Sequence, residues 1–208
     1  NDEAARTIAD VTRGGAIVEA VVDPQPQSSD VVKQAADNVG AKLMQGVVTR
    51  AHGGRRVQGV DIETPSGSKR LDCDLVAMSG GWSPTVHLTS HLGAKPKWNE
   101  AIAAFVPGET PPGMAVAGAA NGTYDTSACL ADGAAAGLDA ARALGFRRAQ
   151  IEVPEAEPDA TGSSPLWRVR SATGKAFIDF QNDVAASDVA LARREGYWRI
   201  EHLKRYTT

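Results

Sequence analysis

Apolar and polar residues alternate with two periods along this 208-residue chain, and each change of period marks an element. AARTIADVTR places small or apolar residues at Ala5, Ile8, Ala9 and Val11, the three-and-four rhythm of an amphipathic helix, with Asn1 or Asp2 as predicted N-cap and Gly14-Gly15 as stop. AIVEAVVD, Ala16 to Asp23, is rich in β-branched residues and closes at Pro24, which predicts a strand. DVVKQAADNV, Asp30 to Val39, predicts a second helix ended by Gly40, and AKLMQGVVTRAHG is strand-like. Then follow a strand from Val57 to Thr64, a turn at Pro65-Ser66-Gly67-Ser68 and a strand from Arg70 to Met78. Within the last, Leu75-Val76-Ala77-Met78 is continuously apolar, the pattern of a strand buried on both faces.

A helix, a glycine turn and a strand ending in an acid make the second half of a βαβ unit. An open-sheet domain that begins on a helix lacks its first strand, so the chain is expected to be a piece of a longer polypeptide. Asp23 stands about 20 residues beyond the opening turn, where dinucleotide-binding folds place the acid that accepts a ribose hydroxyl. Equally, it is a strand-end Asp that starts the turn Asp23-Pro24-Gln25-Pro26.

The stretch AVAGAANGTYDTSACLADGAAAG, Ala115 to Gly137, contains almost nothing large. An apolar beat at Met114 and Val116 runs into Gly118-Ala119-Ala120-Asn121-Gly122, and an Ala-rich helix follows from about Thr126, finishing at Leu144 with Gly145 as cap. Strand, small-residue turn and helix form the layout of a nucleotide-cradling site, where helix N–H groups face an anion. The same residues also serve close packing of a helix on a sheet. Between the strands and this turn, Trp82 covers a ligand or plugs a junction, and His87 and His91 stand four apart without a third ligand, so no metal is predicted.

Beyond the helix, Ala149 to Pro165 is acidic, proline-bearing and poor in apolar residues, a linker by composition. WRVRSATGKAFIDFQND reads as a strand or two, followed by helices from Ser187 to Glu195, with Ser187 as cap, and from Arg199 to Tyr206, joined at Gly196.

Composition narrows the partners. A formal net charge of -3 gives no basic footprint for nucleic acid or an anionic membrane surface. No apolar run approaches the roughly 20 residues of a membrane span. Two distant cysteines, Cys73 and Cys129, form neither a metal knuckle nor a disulfide framework, and a cytoplasmic location is expected.

DLVAMSGGWSPTVHLTSHLGAKPKWNEAIAAFVPGE, the AVAGAANGTYD turn with LADGAAAG, and FQNDVAASDVALARREGYWRIEHLKRYTT together, in order, resemble the alpha subunits of heterotetrameric sarcosine oxidases. The resemblance covers nearly the whole chain and implies an internal piece of a much longer subunit. It implies an α/β chain, an incomplete two-lobed dinucleotide-binding fold like that of disulfide reductases, followed by a small α+β domain with a helical hairpin. The expected domains are a nicotinamide-type nucleotide lobe at 1–84 without its first strand, a return segment of the first nucleotide lobe at 85–148, a linker at 149–165, and a hairpin domain at 166–208 resembling a cluster-less [2Fe-2S]-type domain.

In that family the alpha subunit holds NAD, FMN lies at the interface with the beta subunit, and sarcosine is demethylated oxidatively to glycine on FAD in the beta subunit. The implied partners are beta, gamma and delta subunits, with tetrahydrofolate bound by a module outside this span, and neither nucleic acid nor membrane. No catalytic or metal-binding residue is then expected here. The implied dinucleotide-binding residues are Asp23, Gly118, Ala119, Ala120 and Asn121, with Ser127 and Leu130 of the following helix.

Two departures refine the expectation. Flavoprotein relatives carry Gly-Asp at the return turn, whereas Gly118 is followed here by Ala119, which cannot hydrogen-bond a ribityl chain; this favours a nicotinamide dinucleotide, with the helix after Tyr124 facing its pyrophosphate. Opine-type relatives carry cluster cysteines opposite Phe177 to Asp183, and FIDFQND has none, so no iron–sulfur cluster is expected. The alternatives are a subunit of an opine- or proline-type amine oxidase or dehydrogenase, and a non-catalytic interaction module with a vestigial nucleotide lobe.

Overall fold

The computed structural model describes residues 1–146 and 151–207. The chain is mixed α/β with small sheets, and it divides into two compact units, Asn1–Gln45 with Ala77–Leu166, and Gly46–Val76 with Trp167–Thr208. These units cut across the expected boundaries. The 1–84 segment is shared between both, and the expected linker from residue 151 to Pro165 belongs to the first; residues 147–150, where the return segment was expected to end and the linker to begin, lie outside the described residues.

The first unit opens with helix α1 (Ala4–Arg13), strand β1 (Ala20–Asp23), helix α2 (Asp30–Asn38) and strand β2 (Lys42–Gln45). β1 and β2 pair in parallel, Ala20 with Lys42 through Asp23 with Gln45, so the expected strand, helix and strand-like run form a βαβ crossover, β1-α2-β2, whereas the sequence pattern places the βαβ unit on α1 and β1. Its core is small: Ile8 of α1, Val32 and Ala36 of α2, Ala41 and Met44 are buried. Neither predicted cap of α1 holds: Glu3 occupies the N-cap without a side-chain bond, and Asp2 instead accepts the Ser29 hydroxyl at 2.6 Å. Ser29 in turn accepts the Val32 N–H at 3.3 Å, which caps α2.

The same unit continues with a short helix α3 (His87–His91) and an antiparallel pair, β6 (Lys97–Asn99) with β7 (Ala104–Val106), on which Trp98 and Phe105 meet edge to face at 5.2 Å. A 3-10 turn (Gly118–Asn121) and helix α4 (Thr126–Ala143) follow.

The second unit holds an antiparallel sheet of β3 (Val47–Gly53), β4 (Val57–Thr64) and β5 (Gly67–Leu71), with Val60 and Ile62 of the central strand buried. It also holds the pair β8 (Phe177–Asp179) and β9 (Val184–Ala185), helix α5 (Ala186–Arg194) and helix α6 (Ile200–Thr207). Val184, Ala185 and Ala192 are buried. Tyr197 and Tyr206 stack at 4.5 Å, and the Tyr206 hydroxyl donates to Glu195, tying the two helices. That bond is the main cause holding the Tyr206 phenol above its ordinary pKa.

Three expectations are corrected. Leu75 to Met78 is not a strand: Leu75 is 66% and Met78 91% exposed, because the parallel sheet stops at two strands and no described segment pairs with this run. Met114 to Ala117 likewise joins no sheet; Met114 instead bonds locally, its N–H donating to the Pro111 carbonyl at 3.1 Å and its carbonyl accepting the Thr110 hydroxyl at 2.9 Å. Ser187 does not cap α5: β9 runs straight into the helix, so the N-cap falls at Ala185, whose N–H is bonded by Asp188 at 2.8 Å.

Candidate functional site at the start of helix α4

The small-residue stretch owes its shape to two left-handed glycines, Gly118 at φ +65° and Gly122 at φ +91°. At Gly122 a Cβ would come within 2.9 Å of Ile102 Cδ1 and 3.0 Å of Val106 Cγ1, so this glycine also lets the turn lie against the β6-β7 hairpin. The turn is clamped onto α4 from inside the unit. The Gly118 N–H donates to Asp132 at 2.7 Å, and the Cys129 thiol donates to the Thr123 carbonyl at 2.9 Å.

Gly118, Ala119, Ala120 and Asn121 thus form one turn beside the first turns of α4, where Ser127 and Leu130 sit half-buried. The structure brings six of the seven predicted positions together. Asp23 stands elsewhere, at the end of β1, and no hydrogen bond among the described residues joins it to the turn. Its Oδ1 accepts the Gln25 N–H at 2.9 Å, the strand-end turn that was the second reading of this residue.

The N-terminus of α4 is occupied by acids of the chain itself. Asp125 is the N-cap and accepts the Ala128 N–H at 2.7 Å. Its other oxygen accepts the N–H of Asp159 at 2.7 Å. Asp159 returns the contact: its Oδ2 accepts the Thr126 N–H at 3.0 Å and the Thr126 hydroxyl, while Arg6 stands 3.3 Å from Oδ1. The Thr126 hydroxyl, then its N–H, hold the Asp159 carboxyl below the ordinary range, with Arg6 adding and partial burial opposing. A helix start of this kind accepts an anion, and here a carboxylate from a segment more than thirty residues away supplies it.

At the carboxyl ends of β1 and β2, an open hollow of about 650 Å³ is lined by Gln27, Ser28, Lys33, Leu43 and Gln45. Ser28 is 5% exposed and its hydroxyl has no partner. Trp82 resolves differently. Its indole N–H donates to Glu3 and its carbonyl accepts the Tyr124 hydroxyl at 3.2 Å, over a cavity of only about 30 Å³. That space is too small for a nucleotide, and Trp82 is 64% exposed, so it neither covers a nucleotide-sized hollow nor is buried as a plug. Burial, with Glu3 adding, raises the Tyr124 phenol above its ordinary pKa. His87 and His91 are both exposed, and the described residues contain no group of three or more His, Cys, Asp or Glu placed for a metal.

Sequence reasoning missed Asp159, Arg6 and Ser28. Asp125-Thr126-Ser127 before an Ala-rich run was a readable cap signal, but nothing local in Glu157-Pro158-Asp159 indicates where that segment docks.

Residues 173–208 match the family model of the sarcosine oxidase A3 domain, which places the β8-β9 pair and the α5-α6 hairpin in that domain. Along its whole length the chain is 35% identical to a sarcosine oxidase subunit alpha of Rhizobium meliloti (strain 1021) and 34% identical to one of Corynebacterium sp. (strain P-1). It spans 21% and 23% of the lengths of these relatives. An ordered match over the chain's whole length is far more specific than any one turn, and the chain is similar throughout to an internal stretch of sarcosine oxidase alpha subunits.

Proposed function

We propose that this chain is part of the alpha subunit of a sarcosine oxidase complex, binding NAD and scaffolding the oxidative demethylation of sarcosine to glycine, with the chemistry performed on flavin in the beta subunit. The supporting observation is the clamped Gly118–Asn121 turn leading into α4, set in a chain similar throughout to sarcosine oxidase alpha subunits. FMN at the interface with the beta subunit, gamma and delta subunits, and a separate tetrahydrofolate module complete the proposed assembly. NAD would supply a hydride-accepting nicotinamide.

The residues fit such a ligand at two points. Small side chains at Gly118, Ala119 and Ala120 let a pyrophosphate approach the backbone. At the ends of β1 and β2, Asp23 uses one carboxylate oxygen in its own turn and keeps the other for a ribose hydroxyl, and the orphaned Ser28 hydroxyl lies in the same loop. The carboxylate already seated on α4 supports a second reading, in which the nucleotide lobe is vestigial and the chain serves as an interaction module.

Calorimetric titration of NAD into the protein, beside the Gly118→Asp variant, separates the two. The left-handed φ of Gly118 is one that Asp tolerates, and circular dichroism verifies the fold. Binding abolished by the substitution supports the site at the turn; no binding to the parent protein supports the interaction module.

A further inference from the structure

The segment from Asp159 to Ser164 has no regular structure, yet it is tied at several points within its own unit. At one end, the Asp159 carboxylate holds both the N–H and the hydroxyl of Thr126, with Arg6 alongside. At the other, the Gly162 carbonyl accepts the Asp2 N–H at 2.8 Å and the Ser164 carbonyl accepts the Gln25 amide at 3.3 Å. The anchors therefore come from the start of α1, from the loop after β1 and from the start of α4. Against these ties, the side chains between them contribute little apolar burial: Ala160 and Thr161 are small, and Gly162, Ser163 and Ser164 are exposed.

A strap fixed by polar contacts rather than by a core is held in proportion to its charged bonds, and it opens locally at low cost. Losing the charge at Asp159 leaves only neutral contacts, most of them exposed to water.

We propose that residues 159–164 form a displaceable strap, latched by the Asp159 carboxylate on Thr126 and Arg6, which keeps external phosphate groups from the start of α4 until it lifts. The inference rests on the reading that α4 faces a dinucleotide pyrophosphate, and it adds that binding there is regulated by a competing internal anion. Two carboxylates already crowd this helix start, since Asp125 caps it and accepts the Asp159 N–H. A phosphate can enter only in exchange for Asp159, because both compete for the same Thr126 donors and the same guanidinium.

Amide hydrogen exchange by NMR on the 208-residue protein and its Asp159→Asn variant tests the latch without any ligand. The Thr126 and Asp2 amides are expected to exchange at least about tenfold faster in the variant, while the Ala128 amide, bonded to Asp125, stays protected. The Asp2 amide is the deciding probe, because its acceptor lies three residues beyond the altered side chain and responds only if the segment lifts as one. Unchanged exchange at Asp2 overturns the strap. Arg6→Gln, which leaves the Thr126 bonds in place, is a milder second variant and should move the same amides in the same direction.

Titration with inorganic pyrophosphate then tests exclusion: the Asp159→Asn variant should bind about tenfold more tightly than the parent protein. Equal binding by the two overturns exclusion. The dinucleotide reading is decided separately, by NAD titration of the parent protein and the Gly118→Asp variant, so failure of one leaves the other readable.

Discussion

Helices α2 and α4 belong to the same unit and are held in opposite ways. α2 has 9 residues and buries Val32 and Ala36 against its neighbours; α4 has 18 residues, eight of them alanine, and none is buried among the described residues. A short isolated helix is marginal in water, so α2 owes its persistence to packing. α4 instead relies on the propensity of alanine, on its Asp125 cap, and on the Asp132 and Cys129 bonds to the glycine turn. Length and intrinsic propensity thus say little about burial. The helix carrying the candidate site is the one least buried in its own unit.

The sharpest way to break this contrast is to remove apolar volume from each helix environment. Met44→Ala, in the strand beside α2, should cost about 2–5 kcal/mol by urea denaturation, while Leu144→Ala, at the exposed end of α4, should stay within about 0.5 kcal/mol. Comparable losses at both sites would mean that α4 is buried in solution.

Next in size are the caps. Asp125→Ala should lower stability by about 0.5–2 kcal/mol and shorten α4 at its start, measurable as lost helical circular dichroism. Ser29→Ala should cost a similar amount with less loss of helix, because packing holds the rest of α2. Equal helix loss in both would remove the distinction.

The smallest effect is acidification. The Asp159 carboxyl is held below its ordinary value, so its contribution is present above the unfolded value near pH ~4 and disappears as pH falls through the lower folded value. Amide exchange at Thr126 should therefore rise below about pH 4, and that rise should vanish in the Asp159→Asn variant. An unchanged acid response in that variant would assign the effect to another carboxylate.

The elements whose signals are local were legible. Val57 to Thr64 is a strand with the predicted bounds, and α2 and the final helix differ by a residue or so, because β-branching, capping serines and terminal glycines act on neighbours. Leu75 to Met78 misled for the complementary reason. Its composition suits a strand buried on both faces, but a strand also needs partners, and composition carries no record of them. The turn at Gly118 was legible as a small-residue loop before a helix, whereas its clamp depends on the Asp132 side chain, 14 residues along the chain.

By itself the sequence determined the likeness to sarcosine oxidase alpha subunits, the strand and helix that the crossover is built from, the central antiparallel strand and the glycine turn, since each rests on residue identities read in order. Only the tertiary structure decided what occupies the start of α4, because the energy of an anion there depends on which carboxylate the fold delivers to the Thr126 donors, and Asp159 reaches them across more than thirty residues of chain.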